Sequence, residues 1–80
     1  MKTNKKQPDV EIWTVANCKN CDLLIDKIKK RFPDLILQIT QHTREELSQK
    51  GIDFVPVILD YRFNQTTFYY PNNAHKFFQT

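Results

Sequence analysis

The sequence lacks any apolar run that could cross a membrane. Its longest one, FVPVIL at residues 54–59, is interrupted by a proline and is far short of the roughly 20 residues that a membrane-spanning helix needs. No apolar segment follows the basic start MKTNKK, so no signal peptide is visible. We therefore expect no membrane association and a cytoplasmic location, where a permanent disulfide is unusual.

The sequence also lacks a large excess of charge of one sign. Twelve lysines and arginines stand against nine acidic residues, a net charge of +3, and the basic residues do not line up with the aromatic ones. Nucleic-acid-binding domains usually carry a clustered basic patch, so we expect no nucleic-acid partner. Three of the basic residues lie in the first six positions. We predict a basic flexible tail at residues 1–8 and a single domain at residues 9–80.

The hydrophobic pattern predicts four strands and three helices. Residues 9–16 have apolar side chains at both parities, which predicts a strand buried on two faces. A helix follows between a cap at Asn17 and the break at Pro33. The other predicted strands lie at 35–40, 55–61 and 66–70, and the other helices at 43–51 and just after Pro71.

The order of these elements is β-α-β-α-β-β-α. Strands joined through helices imply parallel pairing with right-handed crossovers, and the final hairpin adds an antiparallel edge. The sequence therefore predicts an α/β fold with a four-stranded mixed sheet flanked by helices. This order resembles the thioredoxin-like layout in its smallest form.

The chain has only two cysteines, Cys18 and Cys21, and three uses of the pair compete. As a structural disulfide the pair closes almost no loop and would add little stability. As a zinc site it needs two further ligands, and the only histidines, His42 and His75, have a spacing that matches no common zinc pattern. A redox couple is the third use, and the sequence favours it.

A redox couple needs an exposed, reactive cysteine and a shielded partner within reach. Cys18 lies at or beside the first helical position, where unpaired backbone N–H groups stabilise a thiolate, and Lys19 adds a nearby cation. Helical residues three apart have Cα atoms about 5 Å apart, which a disulfide allows. Cys21 lies on the same apolar stripe as Leu24 and Ile28, so we expect it to be buried.

The segments IWTVANCKNC and GIDFVPVIL, in this order of elements, resemble the glutaredoxin family. The likeness covers roughly residues 10–79 and is strongest to the short glutaredoxin-like redoxins that supply electrons to ribonucleotide reductase. It implies that Cys18 is the nucleophile, that Cys21 resolves the mixed disulfide, and that the two form a redox-active disulfide. It also implies that the Val55–Pro56 bond is cis and faces the sulfurs, although a proline here would equally suit the edge of a strand.

The departures from the family bear on the electron source. Members that use glutathione usually carry a lysine three residues before the first cysteine and a glycine pair after the fourth strand. Those places hold Val15 and, near enough, Thr67–Phe68. The side chain of Phe68 would block the approach of the tripeptide backbone that a glycine allows. The resemblance therefore implies that electrons come from NADPH through a thioredoxin reductase.

The expected function is that of a dithiol–disulfide oxidoreductase that needs no metal or organic cofactor. Substrate binding is expected at Val55, Pro56, Lys19, Asn20 and Tyr69, the last as part of an aromatic rim for a protein partner. The expected partners are a thioredoxin reductase and a protein disulfide such as that of ribonucleotide reductase, with the protein itself a monomer. The alternative is a non-enzymatic thiol switch or a zinc-stabilised adaptor.

Overall fold

The computed structural model describes residues 8–79, so the predicted tail, apart from Pro8, lies outside the described residues. Its elements are β1 (Val10–Thr14), α1 (Lys19–Arg31), β2 (Leu37–Gln41), α2 (Arg44–Gln49), β3 (Val57–Asp60), β4 (Thr67–Tyr69) and a C-terminal 3₁₀ helix (Ala74–Gln79). The order matches the predicted one, except that the last helix is 3₁₀ rather than α. No helix within residues 8–79 is long and apolar enough for a membrane span.

The four strands form one mixed sheet in the order β2-β1-β3-β4. Strand β2 runs parallel to β1, and β3 is antiparallel to both β1 and β4. The predicted α/β class with a mixed four-stranded sheet is therefore confirmed, but the prediction that β3 pairs in parallel is wrong. Helix α2 has six residues and spans about 9 Å, whereas β2 has five residues and spans about 16 Å. The connection through residues 42–56, which contains this helix, leaves the chain at the end of the sheet where β2 finishes, so β3 starts there and runs antiparallel to β1.

The two faces of the sheet are covered unequally. Helix α1 and the C-terminal helix cover one face, here called the α1 face, where Ile12, Ile58 and Phe77 form the centre of a buried cluster. The other, the α2 face, is covered by Leu47 of α2 over Val57 and other apolar residues.

Strand β1 accordingly alternates between buried and half-buried residues, and the prediction that it is buried on both faces is wrong. Glu11 and Trp13 lie on the α2 face, which the short helix leaves partly open. All four residues of β3 are buried.

The ends of the helices test the predicted capping residues. Cys18, and not Asn17 as predicted, is the N-cap of α1, and Asn17 adopts a left-handed conformation with φ 58°. The predicted capping box of α2 is present, with Thr43 accepting from the Glu46 N–H and the Glu46 carboxylate accepting from the Thr43 N–H. Gly51 follows α2 with φ 79°, a conformation that favours glycine at the end of a helix.

A buried ion pair closes the end of the sheet where β1 begins and β3 ends, here called the ion-pair end. Asp60 is fully buried and accepts two hydrogen bonds from the Arg62 guanidinium, at 2.8 and 2.9 Å, and one from the Arg62 backbone N–H. The guanidinium also lies over the rings of Phe77 and Phe32, at 4.9 and 5.6 Å. Such a charge-assisted bidentate pair, backed by aromatic rings, holds the end of β3 in one arrangement.

Candidate active site

The cysteine pair lies at the opposite end of the sheet, here called the cysteine end, where β1 and β2 finish and β3 starts. Residues 15–18, the last of them the N-cap Cys18, connect the end of β1 to the start of α1. The left-handed conformation of Asn17 turns the chain there, and asparagine tolerates this conformation better than most residues. The backbone N–H of His42, just after β2, donates to the carbonyl of Thr14 at 2.7 Å, so β1 and β2 stay together up to this end.

Cys18 and Cys21 are joined by a disulfide, with their Cα atoms 5.2 Å apart. Cys21 is 1% exposed, and Cys18 is half-buried. The Sγ of Cys18 accepts a hydrogen bond from the backbone N–H of Cys21 at 3.1 Å. The pair therefore has one partly accessible cysteine at the start of a helix and one cysteine enclosed by the fold.

This arrangement suits nucleophilic sulfur chemistry. If the disulfide is reduced, the same helix N–H and the positive end of the α1 dipole stabilise a negative charge on the Cys18 sulfur. Lys19 and Asn20, the first two residues of α1, are both exposed. They lie next to the accessible sulfur along the chain, and their contact with a substrate remains a prediction.

The peptide bond between Val55 and Pro56 is cis, which is the geometry that the resemblance implies. Strand β3 begins only at Val57, which pairs with Trp13, so the backbone of Val55 lies beyond the last pair of that ladder. Val55 and Cys18 both pack against the same buried cluster on the α2 face. The structure therefore brings Cys18 and Val55 to one region of the cysteine end, and a substrate-binding role for Val55 and Pro56 remains a prediction.

Two pockets adjoin the loop that precedes β3. The larger, of about 640 Å³, lies between the loop that contains Phe54 and the turn that follows β4 at Tyr70. The smaller, of about 150 Å³, is lined by Val55 itself and by Arg44 and Ser48 of α2. Sequence reasoning found no cation placed to hold a carboxylate near the cysteines, and Arg44 is a candidate that it missed.

The strand register shows which residues of β4 lie toward the cysteine end. Thr67 pairs with Asp60, at the ion-pair end, and Tyr69 pairs with Ile58. Tyr69 lies on the α1 face with its ring 5.7 Å from that of Phe77. Tyr70, the next residue, lines the larger pocket. The predicted contact of Tyr69 with a partner remains a prediction, whereas Tyr70, together with Phe54, lines the larger pocket.

A polar network on the α2 face was also missed. The Glu11 carboxylate accepts hydrogen bonds from the hydroxyls of Thr40 and Tyr61, both at 2.6 Å, and from the indole N–H of Trp13 at 3.0 Å. Partial burial raises the pKa of Glu11, but these three hydrogen bonds together outweigh it and hold the pKa below its ordinary value. Burial, together with the carboxylate of Glu11, raises the pKa of Tyr61 to about 12. A glutamate in a strand gives no local signal of the two hydroxyl partners, because Thr40 and Tyr61 come from distant segments.

The two histidines are placed differently from each other. His42 is half-buried against the ring of Trp13, with centroids 4.9 Å apart, and its Nδ1 lies 3.7 Å from the Glu46 carboxylate. His75 is exposed in the C-terminal helix. Within residues 8–79, no group of three or more histidine, cysteine and acidic side chains is arranged to hold a metal ion.

Comparisons with known proteins found no relative of this chain. No family model, no curated protein and no solved structure matches the chain.

Proposed function

We propose that the protein is a dithiol–disulfide oxidoreductase with a thioredoxin-like fold of the glutaredoxin type. The observation that carries the proposal is the asymmetry of the cysteine pair: Cys18 caps α1 and is partly accessible, while Cys21 is enclosed and bonded to it. A pair in this arrangement can pass two electrons to another disulfide. The element order, the mixed sheet and the Val55–Pro56 bond before β3 support the assignment of the fold.

The reaction proceeds in two thiol–disulfide exchanges. The Cys18 thiolate attacks one sulfur of the substrate disulfide, forms a bond to it, and expels the other sulfur as a thiolate that takes up a proton from water. The Cys21 thiolate then attacks the Cys18 sulfur and expels the second substrate sulfur. The substrate has gained two electrons and two protons, and the protein has returned to the Cys18–Cys21 disulfide.

The site supports a protein disulfide as substrate, and we propose that of ribonucleotide reductase as one candidate. A thioredoxin reductase that takes electrons from NADPH would regenerate the dithiol. Val15 and Thr67–Phe68 stand where glutathione-using members of the family carry a lysine and a glycine pair. Arg44 in the smaller pocket is the one observation that favours glutathione, because its guanidinium could pair with a carboxylate.

The decisive experiment for the proposed activity uses the reduced protein and bis(2-hydroxyethyl) disulfide, a small substrate without side chains. We expect the wild-type protein to reduce it, Cys18→Ser to be inactive, and Cys21→Ser to accumulate a mixed disulfide at Cys18 that mass spectrometry detects. Activity in Cys18→Ser would refute the mechanism. A wild-type protein with reactive cysteines and no turnover would leave the thiol switch as the better function, and stoichiometric zinc after purification would favour the adaptor.

The electron source is tested with the oxidised protein. We expect NADPH and a thioredoxin reductase from the same host to reduce it, and glutathione with its reductase to do so poorly. Efficient reduction by glutathione that disappears in Arg44→Gln would show that the smaller pocket holds the tripeptide.

A further inference from the structure

The larger pocket at the cysteine end has a mostly apolar wall that is open to solvent. The loop before the Val55–Pro56 bond contributes Phe54, whose side chain is 72% exposed, and the turn after β4 contributes Tyr70 and Pro71. Exposed aromatic side chains around a concave surface usually mark a place where another molecule is bound. At about 640 Å³, the pocket has room for a large side chain and the neighbouring backbone.

The charge of the pocket narrows the choice of ligand. Asp53 is the only charged residue among those of residues 8–79 that line it. An anionic group that enters the pocket meets this carboxylate and no cation, so it is repelled. A neutral apolar side chain meets Phe54 and Tyr70 instead.

The position of the pocket connects it to the disulfide. Phe54 precedes Val55 in the chain, and Val55 packs against the same buried cluster as Cys18. An extended polypeptide that places its cysteine at Cys18 and its backbone along Val55 advances about 3.3 Å per residue, with alternate side chains on the same side. A side chain two residues from the substrate cysteine is then displaced roughly 7 Å from Cys18 along the Val55 segment, and Phe54, the residue before Val55, lines the pocket.

We infer that this pocket binds a large apolar side chain, above all an aromatic one, located near the cysteine of the protein disulfide that Cys18 reduces. The inference rests on the proposed oxidoreductase function. The pocket thus selects the substrate: it favours protein segments with an apolar residue near the reactive sulfur, and Asp53 disfavours segments with an acidic one.

The test compares three peptides that differ only near their single cysteine. The residues two before and two after the cysteine are phenylalanine in the first peptide, alanine in the second and glutamate in the third, and each cysteine is joined by a disulfide to 2-hydroxyethanethiol. The reduced protein supplies both electrons in a single turnover, and chromatography of acid-quenched samples measures the released peptide thiol. We expect the second-order rate constant for the phenylalanine peptide to exceed that for the alanine peptide about 10-fold, and the glutamate peptide to be slowest.

Substitutions in the pocket test whether it causes the preference. In Phe54→Ser the ratio of the rate constant for the phenylalanine peptide to that for the alanine peptide should fall close to one. In Asp53→Asn the rate constant for the glutamate peptide should rise relative to that for the alanine peptide. The matched control is Phe63→Ser, because Phe63 is also exposed, at 59%, but lies in the turn between β3 and β4. Its ratio should stay at the wild-type value. Using a ratio within each variant removes any effect of a change in overall stability or cysteine reactivity.

The possible results separate this inference from the function on which it rests. If the wild-type protein fails to reduce even bis(2-hydroxyethyl) disulfide, the oxidoreductase function is wrong, and the pocket has no role in it. If the small disulfide is reduced but the three peptides react equally, or if Phe54→Ser keeps the wild-type ratio, the oxidoreductase stands and the selective role of the pocket is wrong.

Discussion

The two ends of the sheet, the ion-pair end and the cysteine end, differ in how far their side chains are buried. At the ion-pair end, Asp60 and Arg62 are held by three hydrogen bonds and by aromatic rings, and Asp60 has no exposed surface. At the cysteine end, Cys18 is only half-buried, and the exposed aromatic residue Phe54 lines a pocket. The difference indicates that one end contributes stability, while the other is open enough for the binding and reaction that we propose. Substitutions at the two ends should therefore change different measurements.

The largest expected effect on stability is at the ion-pair end. Asp60→Ala leaves the Arg62 guanidinium without this carboxylate, and removing one member of a buried pair usually costs 3–5 kcal/mol. The Arg62 side chain is 18% exposed and can be partly hydrated, so we expect the free energy of unfolding to fall by about 3 kcal/mol. Urea denaturation of the oxidised protein measures it.

The control for that prediction is Asp26→Ala. The Asp26 carboxylate pairs with Lys30 at 3.2 Å on the exposed surface of α1, and such a pair contributes less than about 0.5 kcal/mol. The alkylation rate of Cys18 in the folded, reduced protein should be unchanged in Asp60→Ala. A large change in the alkylation rate of Cys18 would mean that a substitution at the ion-pair end also alters the cysteine end, and that the two ends are not independent.

A smaller effect is expected from Glu11, which lies between the two ends. The pKa of Glu11 in the folded protein is below its ordinary value of 4.5, so the ionised carboxylate stabilises the fold above about pH 4.5. That contribution is lost as the pH falls through the lower, folded-state pKa. Glu11→Gln should reduce the free energy of unfolding by about 1–2 kcal/mol at pH 7, because hydrogen bonds to a charged acceptor are weakened.

The pH dependence sharpens this prediction. The difference between wild type and Glu11→Gln should shrink as the pH falls below 4.5, where the carboxylate of the unfolded chain becomes protonated, and it should be lost once the pH has passed the lower folded-state pKa. Glu45→Gln is the control, since Glu45 is exposed in the first turn of α2. A difference for Glu11→Gln that is constant from pH 7 to strongly acidic pH would show that the charge of Glu11 contributes nothing.

Local sequence signals predicted the elements of the fold well. Periodicity located the strands and helices, and the spacing of Thr43 and Glu46 predicted the capping box, because each of these signals depends on residues close in the chain. The burial of Cys21 followed from its position on the apolar stripe of α1. The direction of β3 did not follow, because it depends on which end of the sheet the chain reaches between β2 and β3, and local periodicity does not specify that.

The site could be predicted only where its residues are neighbours in sequence. The two cysteines and the Val55–Pro56 segment were recognisable as motifs, although their partners were not. The pocket combines residues from the loop at Phe54 with residues from the turn at Tyr70, and the Glu11 network joins Thr40 and Tyr61 from segments far apart in the chain. Contacts of this kind depend on strand register and packing, which a single sequence does not specify.

The most direct test of the redox site is the relative alkylation of the two cysteines in the reduced protein at neutral pH. A limiting amount of iodoacetamide is added, the reaction is stopped, and mass spectrometry of peptides measures the modification of Cys18 and Cys21. Because Cys18 is accessible and its thiolate is stabilised by the start of α1, we expect it to react at least about 10-fold faster than Cys21. In urea-unfolded protein the two should react at similar rates. Equal rates in the folded protein, or a faster Cys21, would contradict the assignment of Cys18 as the nucleophile.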